Sequence, residues 1–119
     1  VLSEIIAKRM LRNALQAIEW ISDKDYQRRV WIGGEKPNDF TETMCDFFDN
    51  CDPVLGHYKK CDITEQQYQI LQKFHFEFTN FSDLNCCEHE FIDTPKWDRI
   101  VALAKETLEF FDERHFNVE

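Results

Sequence analysis

Apolar residues return every three or four positions along most of this chain, and that period predicts helices. Over residues 3–20, Ile6, Met10, Leu11, Ala14, Leu15 and Ile18 form one broad stripe, with Ser3 placed to cap it. Ser22-Asp23-Lys24-Asp25 breaks the pattern and caps a shorter helix through Tyr26, Val30 and Trp31, which Gly33-Gly34 ends. A strand over residues 26–32 competes, because Tyr, Val, Trp and Ile favour extended backbone. After the linker Glu35-Lys36-Pro37-Asn38, a third helix is predicted over residues 40–50. Pro53 stands where a short fourth helix restarts through Leu55, Tyr58 and Lys59.

The clearest start signal comes next. Thr64 and Gln67 have capping-box spacing, and Ile63 and Tyr68 have that of a hydrophobic staple. The fifth helix continues through Leu71, Phe74, Phe78 and Phe81, and residues 82–93 read as polar and irregular. Thr94-Pro95 opens the last helix, whose buried face is Trp97, Ile100, Val101, Ala104, Leu108 and Phe111. With three glycines and no hairpin dipeptide, the chain is expected to form a single all-α domain over residues 1–119, a bundle of five or six helices. The first, fifth and last helices are the expected scaffold.

Composition narrows the partners. Hydrophobic residues make up 43% of the chain and include eleven Phe and three Trp, which excludes a disordered tail. The 23 acidic against 14 basic side chains leave a net charge of −9, so nucleic acid and anionic membrane would be repelled. That balance suits a soluble protein or one that meets a cationic surface. No apolar run approaches the ~20 residues that cross a bilayer. Glu4, Lys8 and Arg9 interrupt the first ten residues, which therefore lack the apolar core of a signal peptide. Five cysteines, two of them adjacent, do not read as a secreted disulfide frame, and a reducing cytoplasm is the expected setting. In that setting the Asn80-Phe81-Ser82 glycosylation triplet means nothing.

Charge placement is more informative than the total. Between Lys36 and Lys59 stand Asp39, Glu42, Asp46, Asp49 and Asp52, with no Lys or Arg. The first four are spaced i, i+3, i+7 and i+10, which places them on one helix face, opposite Phe40, Met44, Phe47 and Phe48. A wet face is the ordinary use of such a row, and docking a basic partner is the other. Carboxylate catalysis requires a buried or charge-crowded acid, and an EF-hand requires a pattern that Asp46 to His57 does not supply.

Other chemistry is sparse. The chain has no phosphate loop, no G-x-S-x-G elbow, no HExxH and no ExxH pair. A non-enzyme without cofactor is expected, and Asp112 with His115 reads as a solvated i, i+3 pair. Cys86-Cys87-Glu88-His89, with Cys61 one turn after His57, offers a zinc alternative, though its spacing is not C-x-x-C. Cys45 and Cys51 are expected on the apolar side of the acidic helix. Trp20, Tyr26, Trp31 and Trp97 read as core residues, although Tyr26 or Trp31 exposed beside the acids would anchor an interface. Arg28 and Arg29 are expected in solvent or paired with Asp23 and Asp25.

Trp20, Asp25-Tyr26-Gln27 with Arg29 and Trp31, the Gly33-Gly34 and Pro37 break, and Phe47-Phe48-Asp49-Asn50 form an ordered set. Over about residues 14 to 111 it resembles the small immunity proteins encoded beside bacterial contact-dependent growth inhibition toxins. The resemblance implies a cytoplasmic protein that binds one cognate toxin domain. Many such toxins are nucleases with basic clefts, which an acidic helix can occupy. Asp39 to Asp52 would be the docking element, with Glu42, Asp46 and Asp49 central and Tyr26 or Trp31 as anchors. The rival readings are a metal- or thiol-dependent regulatory domain using Cys61, Cys86, Cys87 and His89, and an acidic helical adaptor.

Overall fold

The computed structural model describes residues 3–84 and 90–116. Helix α1 (Glu4–Ile21) is followed by α2 (Lys24–Tyr26), which passes without a break into a π-helical segment (Gln27–Ile32). Helix α3 (Phe40–Gly56) and a 3-10 turn (Tyr58–Cys61) lead to α4 (Glu65–Leu84). A second 3-10 turn (Glu90–Asp93) precedes α5 (Pro95–Glu109) and the short α6 (Glu113–Phe116). The protein is an all-α bundle, and residues 26–32 are helical, not extended.

Local chemistry starts these helices. Ser3, Asp23, Asp39 and Thr94 each accept a backbone N–H three residues on, from Ile6, Tyr26, Glu42 and Trp97. The capping box at α4 forms in both directions: Gln67 N–H donates to Thr64 Oγ1 at 3.1 Å, and Thr64 N–H donates to Gln67 Oε1 at 2.8 Å. Gln67 also donates through Nε2 to the Phe110 carbonyl at 2.7 Å, tying the start of α4 to the end of α5.

Four long helices form a ring in which α1 packs on α3, α3 on α4, α4 on α5, and α5 back on α1. Successive members run antiparallel: Asn13 meets Asn50 while Trp20 lies beside Asp46, Phe40 meets Phe78 while Phe47 meets Phe74, and Gln67 meets Phe110 while Phe81 meets Trp97. The first, fifth and last predicted helices belong to this ring, and α3 completes it. The core is aromatic. Phe40 lies 4.7 Å from Phe91, 5.9 Å from Trp97 and 6.0 Å from Phe78 between ring centroids, all edge-to-face. Phe47 contacts Phe74 and Phe78 below it.

Gln27 is fully buried at the top of this core. Its Nε2 donates to the Trp20 and Ile21 carbonyls at 2.9 and 2.8 Å, and its Oε1 accepts the Trp97 indole N–H at 2.9 Å. One amide thus satisfies the end of α1 and links the π-helical segment to α5.

Three expectations change. Pro53 does not restart a helix; it sits inside α3 at its last turn, where its missing N–H removes only the bond to the Asp49 carbonyl, and the packing of α3 on α1 offsets that loss. Ile6 is about half exposed, and the buried stripe of α1 is instead Ala7, Leu11, Ala14, Leu15, Ala17, Ile18 and Ile21. His115 is buried rather than solvated, because the unanticipated α6 folds it against Phe111.

Candidate functional site

Helix α3 buries Phe40, Thr43, Phe47, Cys51 and Val54 and turns Thr41, Glu42, Cys45, Asp46, Asp49 and Asp52 outward. The predicted acidic face exists, but its five carboxylates do different work. Asp39 is the N-cap and accepts the Glu42 N–H at 2.8 Å, where a carboxylate also complements the helix dipole. Asp52 pairs with His75 Nε2 at 2.5 Å across the α3–α4 seam. Glu42, Asp46 and Asp49 remain exposed, and among the described residues none of them forms an ion pair. They span about 10 Å of helix at 1.5 Å per residue. That is within about one Debye length at physiological salt, so they act on a partner as one patch.

Beside this face lies a trough between α1 and α3, lined by Asn13, Gln16, Trp20, Asp46 and Asn50. Asn13 donates to Asn50 Oδ1 at 3.3 Å across the seam, and Asn50 in turn donates to the Asp46 carbonyl at 2.7 Å. The half-buried Trp20 ring stacks on Tyr26 at 5.5 Å and 6°, which fixes its orientation. Asn13 and Gln16 also border a broader depression of about 780 Å³ that reaches Glu19, Asp112 and Glu113, with Arg12 as its one cation among the described residues. Partial burial raises the Glu19 carboxyl above its ordinary value. The negative surface therefore extends from α3 over α1 toward α6.

The aromatic assignments shift accordingly. Tyr26 and Trp31 are core residues: Tyr26 OH accepts a bond from Asn38 at 2.8 Å, and Trp31 packs on Phe40 and Trp97. Neither presents the surface that an anchor needs. Trp20 does, and its i−4 and i−7 neighbours Gln16 and Asn13 are the sequence signal that it faces a polar side.

Cys45 lies on the acidic face, not the apolar one; its i−4 and i+4 neighbours are the outward-facing Thr41 and Asp49. Cys51 is buried as expected. Arg28 and Arg29 pair with Asp93 at 2.7 Å and Glu35 at 3.0 Å instead of Asp23 and Asp25. Asp23 is already used as a cap.

The zinc alternative gains nothing from Cys61. Its thiol donates to the Ala7 carbonyl, and burial pushes its pKa up to about 11, away from the thiolate that binds metal. Cys86, Cys87 and His89 lie outside the described residues. Among the described residues, no three His, Cys, Asp or Glu side chains are grouped to hold an ion. Nor is any described helix long and apolar enough to cross a membrane. Comparison of the chain with protein-family models, curated proteins and solved structures returns no match.

Proposed function

We propose that this chain is an immunity protein of the contact-dependent growth inhibition type, which binds a cognate toxin domain and occludes its basic cleft. The observation that carries the reading is the row Glu42, Asp46 and Asp49: three exposed carboxylates without cation partners among the described residues, on a helix locked to an aromatic core. Left in water, such neighbours repel one another. A cationic partner removes that repulsion and gains steered encounter as well.

Rigidity matters to this reading. Phe40 and Phe47 are fully buried, so the helix reaches its partner with its backbone already ordered, and binding does not have to supply that ordering. Trp20 beside Asp46 supplies the aromatic contact expected near the centre of a tight interface. Inhibition on this account is stoichiometric and needs no chemistry from the chain. It takes place in the cytoplasm, where the toxin domain acts.

The test is growth protection against the toxin domain encoded directly beside this gene. Wild-type protein protects. Glu42→Lys with Asp46→Lys abolishes protection and weakens toxin binding at least tenfold, with the helical circular-dichroism signal unchanged. Full protection by the doubly reversed variant would remove the proposal, as would the lack of any toxin domain that the wild type binds.

A further inference from the structure

A second surface carries the opposite charge. On the outside of the bundle, α4 and α5 enclose an open groove of about 450 Å³. Its floor is Phe81, Ile100 and Leu103, and its rim carries Lys73 on α4 with Lys96 and Arg99 on α5. Among the described residues Glu77 is the only acid that lines it, so they give the groove three positive charges against one negative in a chain of net charge −9.

These three cations are all exposed, and among the described residues none of them forms an ion pair. Lys24, Arg28, Arg29 and Arg114 elsewhere on the surface do hold carboxylates. Acids are plentiful in the chain, yet among the described residues the fold presents none to the rim but Glu77. The basic rim and apolar floor together specify what fits. Apolar surface favours a bulky aliphatic or aromatic side chain, and cations on both walls favour carboxylates flanking it. Because the groove is open along two helices and not enclosed, it suits an extended or helical segment laid between them.

We infer that the α4–α5 groove is a docking site for an acidic segment of a partner protein, which inserts apolar side chains over Phe81, Ile100 and Leu103 and sets carboxylates against Lys73, Lys96 and Arg99. Charge complementarity selects this partner over nucleic acid, whose bases offer no aliphatic anchor and whose phosphates the remaining surface repels. The α3 face of a second copy is not the occupant, because its outward residues (Thr41, Cys45 and the carboxylates) provide no bulky apolar side chain. The site is separate from the acidic face and does not depend on the immunity reading.

The experiment is an array of short labelled peptides displaying Leu, Phe or Trp between Asp and Glu at every spacing from i to i+4, read by fluorescence anisotropy against the whole chain. At least one peptide is expected to bind saturably with micromolar affinity. Its binding should fall at least tenfold with Lys96→Glu and Arg99→Glu, and similarly when its Glu are replaced by Gln or its apolar residues by Ser. Glu42→Lys with Asp46→Lys should leave this binding unchanged, which separates it from toxin docking. The lack of any saturable binder, equal binding by the Gln peptide, or retention of affinity by the Lys96 and Arg99 variants overturns the inference. Tighter binding of dodecanoate or single-stranded RNA at the same residues also overturns it. All three cations are exposed, so the charge variants should fold, and circular dichroism checks that they do.

Discussion

Both amide hydrogens of Gln27 are spent on the last carbonyls of α1, and its carbonyl oxygen holds the Trp97 indole N–H. Gln27→Ala strands the Trp97 indole N–H and removes a partner from the Ile21 carbonyl, while the Trp20 carbonyl keeps the Asp23 N–H, and an unsatisfied buried group costs about 1–3 kcal/mol. A loss of about 3 kcal/mol in urea unfolding is expected, with toxin binding retained by the fraction that stays folded. His115 makes a different prediction. Its Nδ1 accepts the Asp112 N–H at 3.1 Å, its Nε2 has no partner among the described residues, and burial lowers its pKa below 6.5 despite the opposing pull of Asp112. Below pH 6.5 the unfolded chain binds this proton more readily than the folded one, so stability falls as pH drops toward the folded-state pKa. Stability curves at stepped pH should show the advantage of wild type over His115→Gln shrinking through that window. An advantage that grows there would show that the imidazole is charged in the fold.

At the scale of elements, what could be read in the sequence was what neighbouring residues decide. Thr64 and Gln67 lie three residues apart and their bonds form as predicted; Thr64→Ala should cost about 1 kcal/mol of stability by thermal melt. Gly33 likewise marks the end of its helix, but its role goes beyond a terminator. A Cβ there would meet the Arg29 carbonyl oxygen at 2.6 Å, because the π-helical turn brings that backbone close. Gly33→Ala should therefore destabilise by about 1–3 kcal/mol and loosen Trp31, read as a change in tryptophan fluorescence. Pro53 misled because a local rule was overruled by packing: α3 continues past it to Gly56 against α1. The partner of Arg28 was out of reach for another reason. Asp93 is 65 residues away, and only the fold brings the two together. Cys45 and Trp20 were legible in principle, since their i±4 and i−7 neighbours are polar, but residue type suggested core for both.

For the whole molecule, the ring of four antiparallel helices holds its surfaces apart. The exposed carboxylates Glu42, Asp46 and Asp49 of α3 and the Trp20 trough lie at the α1–α3 side, and the basic groove lies between α4 and α5. A chain of net charge −9 with segregated charge is expected to attract cationic proteins from a distance. Such long-range attraction is weakened by salt, whereas an apolar contact with a partner through Trp20 would not be. If the α3 carboxylates dock a basic toxin surface, as we propose, the association rate constant must depend on ionic strength. Stopped-flow mixing of the protein with its neighbouring toxin domain should give a rate that falls at least tenfold between low and physiological salt. Neutralising Glu42, Asp46 and Asp49 to Gln, Asn and Asn should remove most of that dependence. A rate that is flat in salt, or equally steep in the neutralised variant, would contradict the claim.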